Sequence, residues 1–329
     1  MAVLRGTYSS GRLLTTCVLL CILLSALTLY GKPSPDHGGS TGSSLIQALK
    51  SPFATFLPKG QKRDEYLAIC MAVRNQGPDL PEFLQHHYYR MGIKRIYILD
   101  DGSTPPMSEF VDTFGVPKSA VTFVYYNETQ RVGSMQYHMY NECAGVYGTN
   151  HTWLAFIDTD EFFDAPGGES IETVLRQLEL RDEVGGLGVN WQMHTSNGHL
   201  TRPESVREAY TQCIYDDAEH NGEASDNKHV KSIVRVRDYA GPINPHMFNL
   251  APGKITVGED GVDIAHWAFR QPISRNRLSL HHYAVKSRED YLQKMNRSNA
   301  MDQPKGWEFW NHVEHELPHV LCDDMLRWL

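Results

Sequence analysis

The chain has 329 residues, 41% of them hydrophobic and 21% charged, with a formal net charge of −8. That is enough apolar material for one large globular domain or two small ones. A net acidic balance without a basic excess argues against nucleic acid as a partner.

In chain order, the first feature is Leu13–Tyr30, LLTTCVLLCILLSALTLY, 18 residues without a charge, preceded by Arg5 and Arg12. A run of about 17–25 apolar residues crosses a bilayer, and the positive flank stays cytoplasmic. Ser25-Ala26-Leu27 is a weak cleavage signal, so the expectation is an uncleaved anchor rather than a removed signal peptide. The organisation that follows is a cytoplasmic tail 1–12, a transmembrane anchor 13–30, a stem 31–64 opening with GKPSPDHGGSTGSS, and a lumenal domain 65–329. A stem rich in Gly, Ser and Pro cannot bury a core. The sequons Asn127-Glu128-Thr129, Asn150-His151-Thr152 and Asn296-Arg297-Ser298 agree with a lumenal placement. Of six cysteines, Cys70, Cys143, Cys213 and Cys322 lie outside the anchor. They allow two disulfides in any of three pairings, although Cys70 reads equally well as a buried thiol.

Tyr66–Val73, YLAICMAV, is a near-continuous apolar run of the kind that forms a central parallel strand. Asp79 then reads as the cap of a helix with Pro81 in its first turn and Gly92 past its end. His86 and His87 lie within that helix and read as packing residues. Lys94–Leu99 is a second strand, closed by Asp100-Asp101-Gly102-Ser103, and Val121–Tyr125 is a third after a short helix. A helix over Ser134–Tyr147 precedes a fourth strand, Trp153–Ile157. Strand and helix alternate throughout, which predicts an α/β fold with a mostly parallel central sheet flanked by helices. Farther on, Ser170–Leu180 has a clean helical stripe, Gly185–Val189 is a short strand, and Val230–Val236 is another. Leu278–Ala284 carries His281-His282-Tyr283, and Ser287 caps a final helix with Asp290 three residues on.

The chemistry concentrates where the fourth strand ends, in Asp158-Thr159-Asp160-Glu161. Strand alternation would aim Asp158 and Asp160 the same way. Neighbouring carboxylates repel, and a divalent cation between them, Mg2+ or Mn2+, removes that repulsion. Solvated acids closing a strand are the bland alternative. Arg74 with Asn75, Asp100 with Asp101, and Asp158 with Asp160 all follow strand C-termini, the edge where open α/β sheets bind ligands.

Seven pieces then occur in a recognisable order: MAVRNQ-x-PDLPEFLQHHYYRMGI, IYILDDGS, GSMQYHMYNEC, WLAFIDTDEFF, NWQMHTSNGH, HVKSIVRV-x₈-PHMF and LHHYAVKSREDYLQKM. Together they resemble glycosyltransferase family 92, with the GT-A type of fold. The chain departs from the family where His194-Thr195 replaces the usual Phe-Gly, and at Val236, where proline is often seen.

The resemblance implies an inverting, metal-dependent transfer of a sugar, most often galactose, from a UDP-sugar to a glycan or glycoprotein acceptor. It implies Mn2+, or Mg2+, as cofactor and a Golgi membrane location for a single-pass type II protein. Asp160 and Asp158 are the expected metal ligands, with His282 as a third and His246 as its alternate. The donor-binding set is Arg74, Asn75, Asp101, Arg131, Gln136, Asp158 and Lys231, with Asp101 in the place of the uracil-pairing carboxylate. Trp191, Asn197 and Gly198 are assigned to the acceptor, with Trp191 as a sugar-stacking platform. An inverting transfer needs a base for the acceptor hydroxyl. Glu161 and His199 are the candidates, with Asp164, Asp217 and Glu204 behind them. Two other classes compete: a non-catalytic glycan or nucleotide-sugar binder on the same fold, and a haloacid-dehalogenase-type phosphatase. The second normally has Thr or Val two residues after its second aspartate, and this chain has Phe162.

Overall fold

A computed structural model describes residues 65–265, 267–297, 300–302 and 305–329. The anticipated tail, anchor and stem lie outside these residues. Among the described residues, no helix is long and apolar enough to cross a membrane.

The strands are β1 (Leu67–Val73), β2 (Arg95–Asp101), β3 (Val121–Tyr126), β4 (Trp153–Phe156), β5 (Glu161–Asp164), β6 (Val184–Met193), β7 (Gln212–Ile214), β8 (Val230–Arg235), β9 (Tyr239–Pro242), β10 (Phe248–Leu250), β11 (Ile255–Val257), β12 (Ser279–His282) and β13 (His319–Leu321). The helices are α1 (Leu80–Gln85), α2 (Met135–Tyr147), α3 (Ile171–Leu178), α4 (Val206–Ala209), α5 (Arg288–Arg297) and α6 (Trp307–Asn311). The main sheet runs in the order β3-β2-β1-β4-β8-β6-β12-β5, with β11 also beside β6. It is mixed rather than wholly parallel: β8 is antiparallel to both β4 and β6, and β5 is antiparallel to β12.

Alternation along the strands builds the two faces. Ile69 and Met71 of β1 pack with Phe83 and Leu84 of α1 and with Val174 and Leu175 of α3. Ala68 and Cys70, which point the other way, pack with Met135, Met139 and Cys143 of α2. Cys70 is bonded to Cys143, so the free-thiol reading of Cys70 does not hold, and Cys213 is bonded to Cys322.

Only the residues 157–160 separate β4 from β5, yet the sheet order places β8, β6 and β12 between them. In a flat sheet four inter-strand gaps would span about 19 Å. A five-residue step reaches at most about 18 Å extended, and this one contains a turn closed by Glu161 N–H on the Asp158 carbonyl at 3.0 Å. The sheet therefore curls, and the acidic turn closes the curl.

Three local expectations need correction. Asp79 makes no capping hydrogen bond; its carboxylate instead accepts from Lys286 at 2.6 Å and Arg202 at 2.8 Å. Two cations offer more than one backbone N–H, so the ion pairs win. The strand read as Gly185–Val189 runs on to Met193, because β12 pairs with Trp191, Gln192 and Met193 and satisfies their backbone. Finally, Asp158 and Asp160 are not aligned by strand alternation, since β4 has already ended at Phe156.

Candidate active site

The acidic turn forms part of a cleft of about 270 Å³ lined by Asp158, Asp160, Gln136, Trp191, His282 and Lys294, among others. Its two aspartates are held in different ways. Asp158 Oδ2 accepts from Lys231 Nζ at 2.7 Å, and Oδ1 accepts from Gln136 Nε2 at 3.1 Å. Its side chain keeps 34% of its exposure toward the cleft. Lys231 is buried beneath it and also lies 3.3 Å from Glu161 Oε2. Burial opposes the Lys231 charge, but Asp158 and Glu161 hold its pKa well above the usual value.

Asp160 comes from the other arm of the turn. Its Oδ2 accepts from Lys294 Nζ at 2.8 Å, while Oδ1 faces His282 Nε2 at 3.8 Å. Burial alone would raise the Asp160 carboxyl; Lys294 chiefly reverses this and holds it well below the carboxylate range. Burial holds His282 far below its ordinary pKa, so the ring is neutral. The 3.8 Å separation is too long for a hydrogen bond. His282 Nδ1 is buried without a partner among the described residues.

A carboxylate oxygen and a neutral imidazole, facing across a gap that no hydrogen bond closes, are suitable donors for a divalent cation. Asp160 and His282 therefore fit the expected metal. Asp158 is already engaged by Lys231 and Gln136. Among the described residues, the one group of three ligand-type side chains with atoms within 4.8 Å of one another is His194, Cys213 and Cys322. Those two sulfurs are in a disulfide and cannot ligate as thiolates.

Trp191 lines the cleft with its ring against His282 at 4.2 Å and stacked on His229 at 4.8 Å. It is only 6% exposed and packed by His229, His246 and His282, so it offers a sugar no open stacking face. His246 packs on the same indole at 5.1 Å. Its Nδ1 lies 2.9 Å from the Val230 carbonyl, which assigns the proton to Nδ1 and leaves a lone pair on Nε2.

The remaining expected donor residues gather at the neighbouring strand ends. Arg74 lines the cleft and reaches Asp101 at 3.6 Å. Asp101 is buried between Arg74 and Arg131, whose Nε is 3.2 Å away. Burial raises its pKa and the two guanidinium groups oppose that shift. Asn75 closes a turn instead, accepting from Thr104 N–H at 2.8 Å. Asp100 accepts from the backbone of Ser103 and Met107 at 2.8 Å each, the turn-forming role its sequence suggests.

Asn75, Asp101, Arg131 and Lys231 stand behind the residues that line the cleft, and four more expected residues are not part of its lining either. Glu161 is fully buried behind Asp158, accepting the Asp158 N–H at 2.8 Å. Burial raises its carboxyl to about 8, with Lys231 opposing. It supports the turn and has no path to a substrate hydroxyl. Asn197, Gly198 and His199 form a separate turn. Asn197 donates to the Ala209 carbonyl at 3.2 Å and accepts from Gln212 N–H at 2.9 Å, which ties that turn to β7. His199 packs against Tyr210. Two of the reserve bases also lie elsewhere: Asp164 is bound by Arg327 and Trp328 of the C-terminal tail, and Asp217 pairs with His220.

Sequence reasoning missed Lys294, Arg297 and Lys305, which line the same cleft. The signal was available for two of them. With Ser287 capping α5, Asp290, Lys294 and Arg297 fall at positions i, i+4 and i+7, one face of a helix.

Comparison with known proteins bears on the family of the chain. A family model described as glycosyltransferase family 92 matches residues 65–319. A glycosyltransferase family 92 protein of Oryza sativa subsp. japonica is 26% identical over 242 residues, covering 71% of this chain and 38% of its own. One from Ricinus communis is 27% identical over 160 residues, 46% of this chain and 27% of its own. The chain thus spans well under half the length of these relatives. Among solved structures, the mannosyltransferase PcManGT of Pyrobaculum calidifontis, in complex with GDP-Man and Mn2+, overlaps 43% of this chain and 39% of its own, with 22% identity and a TM-score of 0.28. Since the family match runs from the first sheet strand to the C-terminal tail, the chain belongs to glycosyltransferase family 92.

Proposed function

We propose that this glycosyltransferase moves a sugar, galactose by its family's tendency, from a UDP-sugar to a glycan or glycoprotein acceptor, with inversion and with a divalent cation, Mn2+ or Mg2+. The observation that carries the reading is the Asp160–His282 pair, 3.8 Å apart and without a hydrogen bond, beside the Asp158–Lys231 pair on one cleft wall. Asp160 and His282 would hold the cation, which when bound stabilises the negative charge that develops on the leaving diphosphate. Lys294, Arg297 and Lys305 supply further positive charge on the same cleft. Lys231 and Gln136 fix the Asp158 carboxylate, so the site is organised before substrate arrives. Arg74 at the cleft, with Asp101 buried behind it, would take the nucleoside side of the donor. His246 lines the same cleft with its Nδ1 on the Val230 carbonyl and stays the alternate to His282 as a metal ligand.

A Golgi, type II placement is part of the same reading. Two disulfides and the exposed sequon residues Asn127 and Asn296 support an oxidising, glycosylating compartment. The test is UDP release from a panel of UDP-sugars with and without Mn2+, followed by NMR of the product's anomeric centre. Metal-dependent UDP release and an inverted linkage are expected. Absence of UDP release with every donor and acceptor would leave a binding protein in place of an enzyme.

A further inference from the structure

Asp158 and Asp160 each have their own ammonium, but the two ammonium groups differ. Lys231 is 1% exposed and wedged between Asp158 and Glu161, so it has nowhere to go. Lys294 is 29% exposed at the cleft, on a long flexible side chain from α5. Its Nζ donates to Asp160 Oδ2 and to the Ala284 carbonyl, both at 2.8 Å. Asp160 is also the carboxylate that faces His282. A divalent cation there would place two positive charges beside Nζ, with one carboxylate to share. Like charges at such range in a partly desolvated cleft repel strongly. A diphosphate beside the cation would offer Nζ a new anionic partner, and Arg297 and Lys305 already line that space.

Resting on the transferase reading, we propose that Lys294 couples the two ligands of the cleft. It neutralises Asp160 while no divalent cation is bound, and it moves its contact to the donor diphosphate when the cation takes Asp160. Lys294 is thus a positioning residue that makes cation and nucleotide bind as a pair and disfavours the cation alone.

The test is an electron paramagnetic resonance titration of Mn2+ into the purified full-length chain, with and without UDP, for wild type, Lys294→Met, Lys294→Arg and Asp160→Ala. Lys294→Met should bind Mn2+ more tightly than wild type when UDP is absent. At saturating Mn2+ it should bind UDP more weakly, each change being roughly fivefold or more. Lys294→Arg, which keeps the charge, should stay near wild type in both. Lys294→Gln, judged by the same two signs, replaces the methionine variant if that one does not fold. If the neutral variant binds Mn2+ alone as weakly as wild type or more weakly, Lys294 only props the carboxylate and the coupling is wrong. If Asp160→Ala binds Mn2+ as well as wild type, it is the metal reading itself that falls.

Discussion

At the residue scale, the acidic and basic groups around the turn have separable duties. Asp160 and His282 face each other with no hydrogen bond between them, whereas Asp158 and Glu161 share the buried ammonium of Lys231. Asp160→Ala should therefore reduce metal-dependent UDP release by about 100-fold or more, with an unchanged far-ultraviolet circular dichroism spectrum. Glu161→Gln tests the opposite case. The amide oxygen can still accept the Asp158 N–H, so kcat should stay within about tenfold of wild type, whereas loss of a true base costs about 10²–10⁴-fold. The tetrapeptide announced its chemistry through composition alone. The division of labour within it was hidden, because Lys231 is 73 residues and Lys294 134 residues away from its aspartate in sequence.

At the element scale, the C-terminal tail acts as a strap. It lines the cleft at Lys305, pairs β13 with β7, is bonded through Cys322 to Cys213, and ends with Arg327 and Trp328 on Asp164 of β5. The disulfide closes a sequence separation of 109 residues. Replacing both Cys213 and Cys322 by Ala should lower the unfolding free energy by about 2–5 kcal/mol, read as a shift of the urea midpoint at constant slope. The strands β1, β2 and β4 were legible because buried strands are continuous apolar runs, and the edge strand β3 because Val121–Tyr126 is β-branched and aromatic. The second half of β6 was not, since Asn190 and Gln192 interrupt the apolar pattern and only pairing with β8 and β12 holds it extended. The tail offered no periodicity because its order comes from long-range partners.

At the scale of the whole molecule, stability should depend steeply on acid. Burial depresses the pKa of His86, to about 3, and holds His87, His194, His246 and His282 well below the ordinary value. The unfolded chain takes up these protons below about pH 6.5, and the folded chain does not. Where the unfolded state binds more protons, stability rises with pH, so it is present above that pH and is lost as pH falls. Each ring contributes up to about 1.4 kcal/mol per pH unit, against a total near 5–15 kcal/mol for a typical domain. Urea unfolding between pH 7.5 and 4.5 should therefore show a falling midpoint. A midpoint that stays flat to pH 4.5 would mean these rings are protonated in the folded state.

The sequence by itself determined the alternation of strands and helices, the acidic strand end, the polar edge at Arg74 and Asp101, and the ordered pieces that place the chain in its family. These are local: each depends on residues within one element, or on their order along the chain. The tertiary structure decided which aspartate faces His282, which lysine holds each carboxylate, that Glu161 is sealed behind the turn, and that Asn197–His199 belongs to a different turn. It also chose one disulfide pairing from three. Those outcomes follow from the curl of the sheet, which brings β5, β12 and α5 against the end of β4. Side chains more than a hundred residues apart meet there, and a contact of that kind leaves no periodic trace in the sequence.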